Sequence, residues 1–207
     1  MNQDKTVQNT EQNILDAAEK VFLEKGFDGA TTTEIARLAG VNHSMLHYYY
    51  RTKENLFAKI FSIKVEELIN SLLHILSQDL PFREKVKHGV EAHFDYIAQN
   101  PKLPLFIMNE FLLHLGQIKT FQPSILIAVN QLYTSFDRDI KQELAQGRIR
   151  PITAENLLYN IIALNVCAFI AQSAITELFN WSSEDYRQFV EKRKRENVET
   201  ILNGLNP

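Results

Sequence analysis

Apolar residues recur at helical spacing along nearly the whole chain. In the first clear segment Ile14, Leu15, Ala17, Ala18, Val21 and Phe22 follow the i, i+3, i+4, i+7, i+8 pattern of a single helix stripe. The period returns in each later segment, and no alternating strand pattern interrupts it. Only 7 Gly and 6 Pro punctuate 207 residues, which suits long regular elements rather than a turn-rich β fold. The spacing therefore predicts an all-α chain of about nine helices.

Local signals set the expected limits. The first helix covers residues 10–25 and stops at Gly26, where a left-handed residue is wanted. Thr31 caps the second, with Glu34 placed to complete a capping box, and Gly40 ends it. Asn42 caps a third over 43–50, with Leu46 and Tyr50 facing inward. Further helices are expected over 53–78, 82–99, 103–115 and 123–146. Thr153 caps one running to 180, and Ser182 or Ser183 caps the last, to 203.

Residues 156–176 carry no charge over 21 positions. A helix apolar nearly all round must be buried on several sides. Its length would also suit a membrane span, but Asn156, Asn160, Asn165, Gln172 and Ser173 weigh against that. Packing on its own core and on a twin is the expectation. Cys167, the only cysteine, lies in this run and is expected as a small buried residue. A single cysteine permits neither an intramolecular disulfide nor a cysteine-based zinc site. A reducing cytoplasm fits, and the N-terminus has no apolar stretch of the signal-peptide kind.

Enzyme signatures do not emerge. The glycines form neither a dinucleotide fingerprint nor a phosphate loop, and there is no nucleophile elbow. His88 and His93 are five apart and do not share a helix face as a zinc pair would; with Glu91 they read as a solvated helix edge. No cofactor, metal site or catalytic residue is expected.

Two short helices joined by a Gly-containing turn make a helix-turn-helix. The outer side of the second carries His43, Ser44, His47, Tyr48 and Tyr49, where a free-standing domain would prefer Lys and Glu. Small and planar donors suit base edges and phosphates. Arg51, Thr52 and Lys53 follow at a helix start, a ready phosphate site.

The stretch from Ile14 to Phe61, ILDAAEKVFLEKGFDGATTTEIARLAGVNHSMLHYYYRTKENLFAKIF, resembles the DNA-binding domain of the TetR family of bacterial transcriptional regulators. The resemblance implies a three-helix DNA-binding domain over residues 1–55. A helical effector-binding and dimerisation domain would fill 56–207. It implies a ligand-responsive repressor bound as a homodimer to a palindromic operator. The rival is a helical ligand-binding or scaffolding protein without DNA binding.

Carried over position by position, Thr31 caps the second helix while Thr32 and Thr33 touch backbone phosphate. His43 and Ser44 read base edges and Met45 offers apolar contact to a thymine methyl. Tyr48 and Tyr49 grip phosphates, and Lys53 matches the lysine that opens the fourth helix. His47 stands where the family usually has Tyr, Tyr50 replaces Phe, and Ser44 is often Gly.

By the same resemblance an effector binds within helices four to eight. Phe94, Phe106, Met108, Phe111, His114, Phe121, Tyr133, Phe136 and Asn165 are the candidate lining. They suit an apolar or aromatic molecule with one or two polar anchors. The last two helices would join the dimer, with the charged run at 191–196 solvated, and the fourth helix, shared by both domains, would carry the ligand's effect to the DNA.

Net charge is -3 over the chain and -1 over residues 1–60. That excludes a bulk polybasic binder, but not a local phosphate-gripping edge.

Overall fold

A computed structural model describes residues 2–105, 107–108 and 123–207, with side chains for 9–105, 107–108 and 126–207. The elements run α1 (Asn2–Gly29), α2 (Thr32–Leu38), α3 (His43–Tyr50), α4 (Lys53–Ser77), α5 (Phe82–Gln99), α6 (Pro123–Ala145), α7 (Ala154–Ile170), α8 (Gln172–Leu178) and α9 (Ser183–Asn203). Residues 103–105 and 107–108 are also helical, and the described residues contain no strand. Two compact units emerge, one built on Met1–Glu66 and one on Glu67–Pro104 with Leu126–Pro207.

In the first unit the apolar stripe of α1 is the core: Ile14, Ala18, Val21 and Phe22 are buried, with Ile35 of α2, Leu46 of α3 and Leu56 of α4. Burying each of the larger side chains is worth about 1.5–3 kcal/mol. Phe22, Phe27 and Phe57 meet ring to ring, Phe57 lying edge-on to both at 5.1 and 5.0 Å. The helix starts at Asn2, earlier than residue 10, because residues 2–9 hold no Gly or Pro to stop it. Gly26 breaks the helical path as expected, with φ 71° and ψ 179°.

Caps act as the sequence implies, with one change. Thr31 Oγ1 accepts from Glu34 N at 3.2 Å, and Asn42 Oδ1 accepts from Met45 N at 2.7 Å. The Glu34 carboxylate does not turn back to close a capping box. It accepts from Lys25 Nζ at 2.7 and 2.8 Å, and so ties α2 to α1.

In the second unit α5, α7 and α9 pack on one another. Val86, Val90, Phe136, Ile140, Leu157, Ile161, Val198 and Ile201 form the main core. Phe94, Ile97, Ala168 and Phe169 form a second cluster. Arg83 Nη2 reaches the Leu202 carbonyl at 2.8 Å, and Lys194 pairs with Asp95 at 2.6 Å. Ser182 and Asp185 close a full capping box at the start of α9.

The expected single helix from 153 to 180 is two helices bent by 57° after Ile170. The Ala168 carbonyl, which residue 172 would take in an unbroken helix, accepts from the Tyr186 hydroxyl at 3.1 Å. A side chain inserted into the i→i−4 ladder is a recognised cause of a kink. Among the described residues no single helix is long and apolar enough to cross a membrane.

Cys167 corrects another expectation, for it is exposed and not buried. It lies on a face of α7 with Ala163 and with Tyr159, 71% exposed, a face that the described residues do not cover.

Candidate nucleic-acid interface

The geometry of α3 follows from its two anchors. Leu46 and Tyr50, four apart, are buried, so the opposite side faces outward. His43, Ser44, Met45, His47 and Tyr48 are exposed there, and Tyr49 is half-buried. Tyr48 is 79% exposed and stands edge-on to Tyr49 at 5.4 Å. The Tyr50 hydroxyl donates to Glu11 at 3.3 Å, and burial foremost, then the Glu11 charge, raises its pKa.

The start of α2 joins the same surface. Thr31 and Thr33 are exposed, and Thr32 Oγ1 lies 3.0 Å from His43 Nε2. That contact links the first turn of α2 to the first turn of α3, and it fixes the imidazole that opens the recognition face.

Lys53 has a use the sequence did not reveal. Its ammonium donates to the carbonyls of Phe27 at 2.9 Å and Ala30 at 3.1 Å, and lies 4.3 Å from the Phe27 ring centre. An ammonium has three donors. Two hold the α1–α2 connection to the start of α4, which leaves a third.

The second unit contains a cavity of about 480 Å³ lined by α4, α5, α6 and α7. Tyr133 and Phe136 line it, together with Leu72, Val86, Gly89, His93, Asn130 and Leu158. Phe94 does not; it packs against Phe169 at 5.1 Å in the second core cluster. Asn165 is wholly buried behind the wall, bonded to His93. Met108 is exposed and lies outside the lining. Phe106, Phe111, His114 and Phe121 fall outside the described residues.

A sequence profile described as "Bacterial regulatory proteins, tetR family" matches residues 14–60, which hold α2, α3 and their supporting core. The chain is 25% identical over 182 residues to the uncharacterized HTH-type transcriptional regulator YhgD of Bacillus subtilis, covering 83% of each. Residues 14–60 belong to the TetR family of bacterial regulatory proteins. The chain is also 31% identical over 87 residues to the HTH-type transcriptional activator FasR of Mycolicibacterium smegmatis. That match covers 42% of this chain and only 40% of FasR. The crystal structure of the transcriptional regulator FadR from Bacillus subtilis, in complex with stearoyl-CoA, superposes with a TM-score of 0.63 at 18% identity. The match covers 95% of this chain and 100% of that one, which is a shared fold. Proteins of the TetR family are transcriptional regulators, not enzymes.

His93 departs from what its sequence neighbourhood implies. It was read with His88 and Glu91 as a solvated edge, yet it is buried. The signal was present: His93 is three residues after Val90 and four before Ile97, both buried, so it shares their face of α5. Burial holds its pKa down at about 4.

Proposed function

We propose that this chain is a ligand-responsive repressor that binds a palindromic operator as a homodimer in the cytoplasm and releases it when a small apolar effector binds. The observation that carries the reading is the outer face of α3. There His43, Ser44, Met45, His47 and Tyr48 are presented to solvent over two buried anchors. A two-turn helix reads only a few bases, so useful specificity requires two copies.

In this reading Thr31, Thr32, Thr33, Tyr48 and Tyr49 hold the backbone, with one N–H of Lys53. His43 and Ser44 meet base edges, and Met45 meets a thymine methyl. The DNA-binding domain ends near residue 55. The partner copy covers the exposed face of α7, where Tyr159, Ala163 and Cys167 would otherwise face water, and α9 completes the seam.

The cavity is the effector site, and its lining suits a long or aromatic apolar molecule. The stearoyl-CoA bound to FadR supports an acyl chain. Release is a population shift, so the effector must prefer the DNA-free state.

The test is titration of a selected operator duplex with purified protein, with and without acyl ligands. Two chains per duplex and ligand-dependent release support the reading. Operator binding by single chains contradicts the dimer. Ligand binding without any duplex binding favours a helical ligand-binding protein. FasR is named an activator, so transcription from the operator with and without the protein reads the sign of regulation.

A further inference from the structure

The cavity wall carries a polar group whose hydrogen-bonding role is determined by what lies behind it. Asn165 Nδ2 donates to the Val90 carbonyl at 2.9 Å. A carbonyl can only accept, so the orientation of the Asn165 amide is settled. The same nitrogen lies 3.0 Å from His93 Nδ1, so Nδ1 must accept. Asn197 Nδ2 donates to Asn165 Oδ1 at 2.9 Å, which consumes the other end of the amide consistently.

A neutral imidazole has one N–H, and with Nδ1 accepting it sits on Nε2. Among the described residues Nε2 has no partner, yet it is not one of the sealed, unsatisfied atoms; that place belongs to Asn197 Oδ1 alone. His93 lines the cavity, so Nε2–H is the donor it offers there. The Tyr133 hydroxyl, also at the wall, already donates to Glu155 at 2.5 Å. No described lining residue carries a full charge.

We infer that the effector is an elongated, uncharged apolar molecule bearing a carbonyl-type acceptor that His93 Nε2–H binds, with Asn165 as the residue that positions the ring. This rests on the cavity being the effector site and narrows the ligand class. A free carboxylate would meet no cation among the described lining residues, and burying an unpaired charge is costly. A pure hydrocarbon would leave Nε2–H unpaired.

The probes are 2-undecanone, undecanoate and undecane, each titrated against the full-length protein. The ketone should bind at least about tenfold more tightly than the hydrocarbon or the carboxylate, a typical effect of one buried hydrogen bond. His93→Phe should erase the ketone's advantage over undecane, and His93→Gln, which keeps a donor, should restore part of it. A variant-free readout is the side-chain 15N–1H signal of His93 Nε2, which should shift with ketone and stay put with undecane. Equal binding of ketone and hydrocarbon, tightest binding of undecanoate, or an unmoved His93 signal would overturn the inference. So would failure of all three probes to bind. Operator binding is measured without ligand, so each of these failures leaves the DNA-binding reading standing.

Discussion

His93 and Lys53 show how far a single side chain can depart from the role its sequence neighbourhood suggests. His93 has a folded-state pKa of about 4 against an ordinary 6.5, with burial as the cause. Between those values the unfolded chain binds more protons than the folded one. Stability is therefore complete above pH 6.5, falls as pH drops, and levels off below pH 4. The loss should total about 3 kcal/mol, and His93→Gln should flatten that part of a pH series of denaturant melts. Lys53 is tied to two backbone carbonyls and an aromatic ring. Lys53→Met should lower stability by about 1–3 kcal/mol in denaturant unfolding. If its remaining N–H meets a phosphate, the salt dependence of operator binding should also flatten by about one ion. The Lys53 role was not legible in sequence, because both partners lie more than 20 residues away. The burial of His93 was legible from its spacing to Val90 and Ile97, but its Asn165 partner on another helix was not.

Helix boundaries were the most legible level, since the information that sets a cap lies within four residues. Thr31, Asn42, Thr153 and Ser182 all cap where the sequence places them. Thr31→Ala should destabilise the first unit by about 1 kcal/mol, read by thermal melting. What failed was what depends on distant chain. The Glu34 carboxylate went to Lys25 rather than to its own cap, and the Tyr186 hydroxyl bent a helix that local periodicity reads as continuous. Cys167 failed for a related reason. An apolar sequence reports that a face must be covered, not that the same chain covers it. Of the aromatic residues proposed to line the cavity, Tyr133 and Phe136 do and Phe94 does not. All share helical periodicity, and only packing decides which turn inward.

For the whole molecule, net charge was the least informative statistic. The chain is acidic overall, yet α3 presents histidines, tyrosines and small polar groups outward. The uncovered α7 face leads to a prediction for the assembly. Tyr159→Glu should weaken self-association by more than about tenfold in sedimentation experiments and weaken operator binding with it, because an unpaired charge in an apolar seam is costly. The helical spectrum should be unchanged, since Tyr159 is 71% exposed in the single chain.

The central claim is that α3 reads DNA sequence. Selection from a random duplex library tests it most directly, using purified wild-type protein beside His43→Ala and Ser44→Ala. The account predicts one enriched palindromic or near-palindromic sequence, with base preference altered in these variants at symmetric positions. No enrichment by the wild type, or an identical preferred sequence in all three, would contradict it.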